Sequence, residues 1–178
     1  MAGALIILSG LPGSGKTYLA EALVKSGVAD KHVSSDAIRA ALFPRPMYTK
    51  GENNGVFHQF SKMITEGLNA GQRVVADATH MRRVDIDTTL NAIDDEGPAF
   101  FAPTYVIKVE APQEIRKQRV FARTYPSPMG TWGASGRMAK NTDVTDDDCN
   151  LIVDGTADID KLVGAVRLLT RMDGTKVS

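Results

Sequence analysis

Gly10-Leu11-Pro12-Gly13-Ser14-Gly15-Lys16-Thr17 constrains this chain more than any other segment. It is a complete G-x-x-x-x-G-K-[ST] pattern, and it needs a particular setting to work. Its glycines let the backbone wrap until its N–H groups point inward at phosphate oxygens. The loop must open onto a helix N-terminus, where unpaired N–H groups and the dipole favour an anion. The flanks supply that setting. Ala4–Leu8 is a continuous apolar run suited to a buried parallel strand. Thr17–Lys25 places Leu19, Ala20, Leu23 and Val24 at helical spacing. Lys16 is then expected to reach the β- and γ-phosphates of ATP or another NTP, with the Thr17 hydroxyl on Mg²⁺.

The rest of the chain repeats the alternation. Strands are expected at Val33–Ser34, Arg73–Asp77, Tyr105–Val109 and Leu151–Val153. Helices are expected at about Asp36–Leu42, Val56–Ala70 (ended by Gly71), Val84–Ile93 and Gln113–Arg123, with a last amphipathic helix from Ile159 through Leu169. Phe43-Pro44-Arg45-Pro46 separates two of these helices, because proline cannot continue one. Strands alternating with helices imply an α/β fold of the P-loop NTPase/kinase type. A parallel sheet of about five strands would be covered on both faces. Ligands of such sheets bind outside the strand C-termini, so motifs that follow strands one, two and three should converge. Residues 1–178 are read as one kinase domain, with a lid at about 116–140 that includes a Gly/Pro-rich loop at Tyr125–Gly136.

Three further motifs carry chemistry. Asp36 and Arg39 lie one helical turn apart just beyond the second strand, so carboxylate and guanidinium can face one cleft. Asp36 can take the proton of an attacking hydroxyl, and Arg39 can hold an acceptor phosphate bidentately. The bland alternative is an acid in a first helical turn beside a surface arginine. Val74-Val75-Ala76-Asp77-Ala78-Thr79-His80 ends a strand in an acid that can orient Mg²⁺ or its waters, or merely start a turn. Thr79, His80, Arg82 and Arg83 follow it on the acceptor side. Arg119 and Arg123 are four apart on one helical face and can act together on transferring phosphates, or can form a solvated basic surface.

Charge and composition narrow the partners. The 21 Lys and Arg balance 21 Asp and Glu, so no global field draws in nucleic acid. Arg116, Lys117, Arg119, Arg123, Arg137 and Lys140 nonetheless make residues 113–140 locally basic. The single Cys149 excludes an internal disulfide. No apolar run approaches the roughly 18–20 residues of a membrane span, and a cytoplasmic location is the default expectation.

With these motifs in order, the sequence resembles the polynucleotide 5′-kinase family known from phage end healing. That family has a P-loop, then D-x-x-R, an acidic strand end and a lid R-x-x-x-R, and the likeness spans about residues 4–170. It implies that Asp36 is the general base for a 5′-hydroxyl of DNA or RNA. It implies that Arg39 grips a neighbouring phosphate, that Arg119 and Arg123 contact the ATP phosphates, and that Asp154-Gly155-Thr156 borders adenine. His80 replaces a common Asn, and the 125–136 segment is longer than that lid. Nucleic acid is therefore the leading acceptor. The alternatives are a hydroxymethylated base in DNA, a small-molecule kinase for a sugar, nucleoside or antibiotic, and a non-catalytic nucleotide switch.

Overall fold

The computed structural model describes residues 3–93, 102–122 and 132–172. Five strands form one sheet in the order β2-β3-β1-β4-β5, and every neighbouring pair is parallel. They are β1 (Ala4–Ser9), β2 (Lys31–Ser34), β3 (Arg73–Asp77), β4 (Thr104–Glu110) and β5 (Leu151–Asp154). β1 is buried along its whole length. Its unbroken apolar sequence suits the centre of the sheet, where both faces are covered.

The helices divide between those faces. α1 (Lys16–Lys25) and α7 (Ile159–Met172) cover one side, where Leu19, Leu23, Leu162 and Val166 meet Ile6, Leu8 and Ile107. α2 (Ser35–Leu42), α3 (Lys50–Asn69) and α4 (Arg83–Asn91) cover the other, where Ile38, Phe60, Ile64 and Ile86 meet Leu5, Ile7 and Val74. Truncating a fully buried ring such as Phe60 costs about 3–5 kcal/mol in proteins generally.

The expected elements form, with informative differences at their ends. α3 begins at Lys50, six residues before the apolar pattern that announced it at Val56. Thr49 caps it by accepting the Glu52 N–H at 3.2 Å, so a polar first turn is stabilised by capping before any apolar side chain contributes. At its other end, Gly71 and Gln72 donate to Leu68 and Gly67, closing the helix as expected. A larger difference concerns the lid. Trp132–Gly136, expected as loop, opens the helix α6 (Trp132–Lys140), which follows α5 (Gln113–Phe121). The Arg116 guanidinium lies 5.6 Å from the Trp132 ring centroid and joins these helices. Residues 125–131 of that loop, and Arg123, lie outside the described residues.

The chain leaves α6 along the corner between β3 and α4. The Met81 carbonyl accepts the Thr142 hydroxyl at 2.8 Å and the Asp143 and Val144 N–H groups at 3.2 and 3.3 Å. Arg83 donates its own N–H to Asp143 at 2.6 Å, and its guanidinium pairs with Asp148 at 2.9 Å.

Candidate active site

Strand register assembles the site. Leu8 of β1 and Ser34 of β2 both pair with Asp77 of β3, so the three strands end level. The motifs that follow them converge as the alternation requires. The loop after β1 turns through glycines in the left-handed region, with φ 152° at Gly10, 84° at Gly13 and 110° at Gly15. A side chain at Gly13 would also strike the Arg116 backbone, so the loop lies directly against α5. Lys16 folds across this loop and donates to the Gly10 carbonyl at 2.6 Å and to Leu11 at 3.3 Å.

At the start of α1, the Thr17 hydroxyl donates to Asp77 Oδ2 at 2.8 Å. The same oxygen receives His32 Nε2 at 3.2 Å. Burial opposes ionisation of Asp77, which is 5% exposed. The His32 hydrogen bond, the Lys16 charge and the Thr17 hydroxyl outweigh it and hold the carboxyl below its ordinary range. His32 was missed in the sequence because nothing links it to Asp77 until β2 pairs with β3.

Asp36 and Arg39 lie in the first turns of α2, whose start is capped by the Ser34 hydroxyl. Both line a cavity of about 620 Å³ together with Tyr48, Asn53, Thr79 and Arg82. Arg137, Met138 and Asn141, on and just after α6, close it from the lid side. A smaller cavity of about 290 Å³ is lined by Gly13, Gly15, Lys16, Thr17, Tyr18, Arg119 and Gly155. The first cavity meets the Asp36–Arg39 motif and the second meets the phosphate loop.

Five of the expected ligand contacts have partners within the protein. Arg119 lines the cavity beside Lys16 and Thr17 and is held there by backbone carbonyls. Its guanidinium bonds the Gly13, Ser14 and Gly155 carbonyls at 3.3, 3.2 and 3.0 Å, tying the P-loop to the turn after β5. His80 is 2% exposed, with φ 41° and both ring nitrogens engaged, Nδ1 by the Leu8 carbonyl at 3.1 Å and Nε2 by the Thr89 hydroxyl at 3.0 Å. Burial pushes its pKa down, so it serves as a neutral brace from β1 to α4. Arg82 lines the cavity of Asp36 and Arg39 while holding Asp85 at 2.6 Å. Arg83 pairs with Asp148 at 2.9 Å and so holds the segment that follows α6. Asp154 folds onto Thr156, accepting its N–H at 2.8 Å and its hydroxyl at 2.7 Å. Gly155 packs so closely on Ser14 that a Cβ would overlap its carbonyl oxygen.

Similarity to known proteins follows the same lines. A family model described as AAA domain (AAA_33) matches residues 5–135. A putative kinase from Chloroflexus aurantiacus is similar in structure, at TM-score 0.72 and 20% identity, over 98% of each chain. The APS kinase CysC of Mycobacterium tuberculosis, solved with AMPPNP and APS, is similar at TM-score 0.69 and 17% identity, over 96% of this chain and 98% of that one. A gluconokinase from Sinorhizobium meliloti is similar at TM-score 0.62 and 17% identity, over 96% and 93%. At these identities the likeness establishes the fold. No curated protein matches the sequence.

Proposed function

The chain belongs to the AAA domain family, and from that premise we propose that it transfers the γ-phosphoryl group of ATP to a hydroxyl of a small molecule. The observation that carries this reading is the acceptor-side cavity. It is about 620 Å³, holds Asp36 and Arg39, and is closed on one side by residues of α6. That volume falls in the usual range for small-molecule sites. A polynucleotide would need a basic track leading away from the reacting hydroxyl. Arg39 and Arg82 line the cavity and Arg83 pairs with Asp148, while the exposed Arg45 and Lys50 do not line it. The similar structures named APS kinase and gluconokinase support the same preference.

In this reading residues 1–178 act as one kinase unit. Asp36 accepts the acceptor hydroxyl proton as its oxygen bonds to the γ-phosphorus and ADP departs. Lys16 exchanges the Gly10 carbonyl for donor phosphate oxygens. Gly10–Thr17 supplies backbone N–H groups, and Asp154-Gly155-Thr156 borders the base. Arg123 supplies lid charge. Thr17 and Asp77 fit Mg²⁺, because they present hard oxygen donors at one point and Asp77 is held ionised. The ion would neutralise phosphate charge as it develops.

A second reading, phosphorylation of a nucleic-acid 5′-hydroxyl, is favoured by the D-x-x-R of Asp36 and Arg39. Transfer of label from γ-labelled ATP, measured over oligonucleotides and hydroxylated metabolites, separates the two. Label entering only oligonucleotides sinks the small-molecule reading. ATP turnover that no acceptor stimulates sinks both.

A further inference from the structure

Tyr18 follows Thr17 directly, in the first turn of α1, and is 64% exposed. The residues that α1 buries are Leu19, Ala20 and Leu23. The ring therefore takes no part in the core, and the fold does not require it. An apolar side chain scattered on a surface, such as Leu168, needs no explanation. Tyr18 differs in its surroundings. With Lys16, Thr17, Arg119 and Gly155 it lines the cavity of about 290 Å³ beside the phosphate loop.

The rest of that cavity is backbone and fixed charge. Gly13, Gly15 and Gly155 offer no side chain to it. A Cβ at Gly15 would come within 3.3 Å of the Gly155 carbonyl oxygen and 3.4 Å of Arg119 Nη1, so this wall is closely packed. Arg119 is held by its three carbonyl bonds. Tyr18 is thus the aromatic side chain among the described residues lining the cavity. Base–aromatic stacking is a strong contact that any base can make, because every base has a π face. The volume lies at the lower end of the roughly 300–1,000 Å³ range of small-molecule sites, which suits a ring system more than an extended ligand.

Resting on the kinase reading above, we infer that Tyr18 is a specificity-determining residue whose ring carries the nucleobase of the donor. Lys16 and Thr17 take the phosphates and the metal ion in that reading, and Tyr18 is the next residue along the same helix. Stacking grows with the area of the ring laid on the platform. The chain accordingly prefers purine to pyrimidine nucleoside triphosphates, and that preference depends on Tyr18.

The test is equilibrium binding to the full chain with Mg²⁺ present. The probes are non-hydrolysable analogues of ATP and CTP, and inorganic triphosphate, which has no base. Wild type should bind the ATP analogue at least about tenfold more tightly than the CTP analogue. Tyr18→Ala and Tyr18→Leu should each weaken the ATP analogue by roughly tenfold and bring the two analogues within about threefold of each other. Affinity for inorganic triphosphate should not change, and neither should Tm, since the ring covers no core. Tyr18→Phe should behave as wild type, because the ring face remains. The inference is overturned, while the kinase reading stands, by a wild type indifferent to the base. It is overturned in the same way by variants that keep ATP affinity, or that lose ATP analogue and triphosphate equally. A wild type that binds neither the ATP analogue nor inorganic triphosphate overturns both.

Discussion

The Thr17 hydroxyl donates to Asp77 Oδ2 at 2.8 Å, joining the first turn of α1 to the end of β3 across sixty residues of sequence. His32 holds the same oxygen from β2. A helix and two strands thus meet at one carboxylate, and the first prediction concerns it. Asp77→Ala should weaken Mg²⁺ use, measured as the half-saturating concentration for ATP turnover. His32→Ala should do so by roughly 10–100-fold, the usual effect of losing a group that orients a metal ligand. Unchanged Mg²⁺ dependence in both variants would remove the metal assignment from this pair.

Asp36 gives the sharpest catalytic expectation. Asp36→Asn should retain ATP affinity, because Asp36 lines the cavity with Arg39 and not the one beside Lys16 and Thr17. Its kcat should fall by roughly 10²–10⁴-fold, the range for loss of a general base. A variant with near-native kcat would mean that the proton leaves by another route.

Arg119 should act through the loop that it braces. Arg119→Ala frees three carbonyls on two segments. It should raise the ATP KM and lower unfolding stability by about 1–3 kcal/mol, since hydrogen bonds from a charged group are lost. Arg119→Lys should restore little, because one ammonium cannot span the Gly13, Ser14 and Gly155 oxygens. A kcat defect with unchanged KM and stability would instead indicate direct contact with transferring phosphate.

His80 makes stability depend on pH. Burial lowers its pKa from 6.5, so the folded chain keeps the ring neutral while the unfolded chain binds a proton below that pH. Its contribution is complete above pH 6.5 and is lost as pH falls through the folded value. Thermal unfolding of wild type should therefore weaken below pH 6.5 more steeply than that of His80→Gln. Parallel pH profiles would show that the ring is not held neutral.

Arg83 supplies the contrasting case. Its side chain is 68% exposed, and its partner is Asp148. Arg83→Ala should leave acceptor KM unchanged and cost no more than about 1 kcal/mol, as exposed ion pairs do. A large rise in acceptor KM would return Arg83 to the substrate.

Much of this protein is determined by local sequence. The apolar run Ala4–Leu8, the glycines of Gly10–Thr17 and the helical spacing after them admit few backbones other than a buried strand, a phosphate loop and a helix. The alternation beyond them yields the five parallel strands, because hydrophobic period and turn chemistry act over a few residues. What side chains do at long range was decided by packing. Asp36 and Arg39 share a cavity as their spacing implies, but spacing is silent on Tyr48, Asn53 and Glu52, which approach Arg39 only once α3 folds back on α2. His80, Arg83 and Arg119 looked like ligand contacts because each follows a motif or sits among cations. The folded chain gives each of them partners of its own: Leu8 and Thr89 for His80, Asp148 for Arg83, and three backbone carbonyls for Arg119. A polar side chain's role depends on which partner satisfies it, and these partners lie 9 to 106 residues away in the chain.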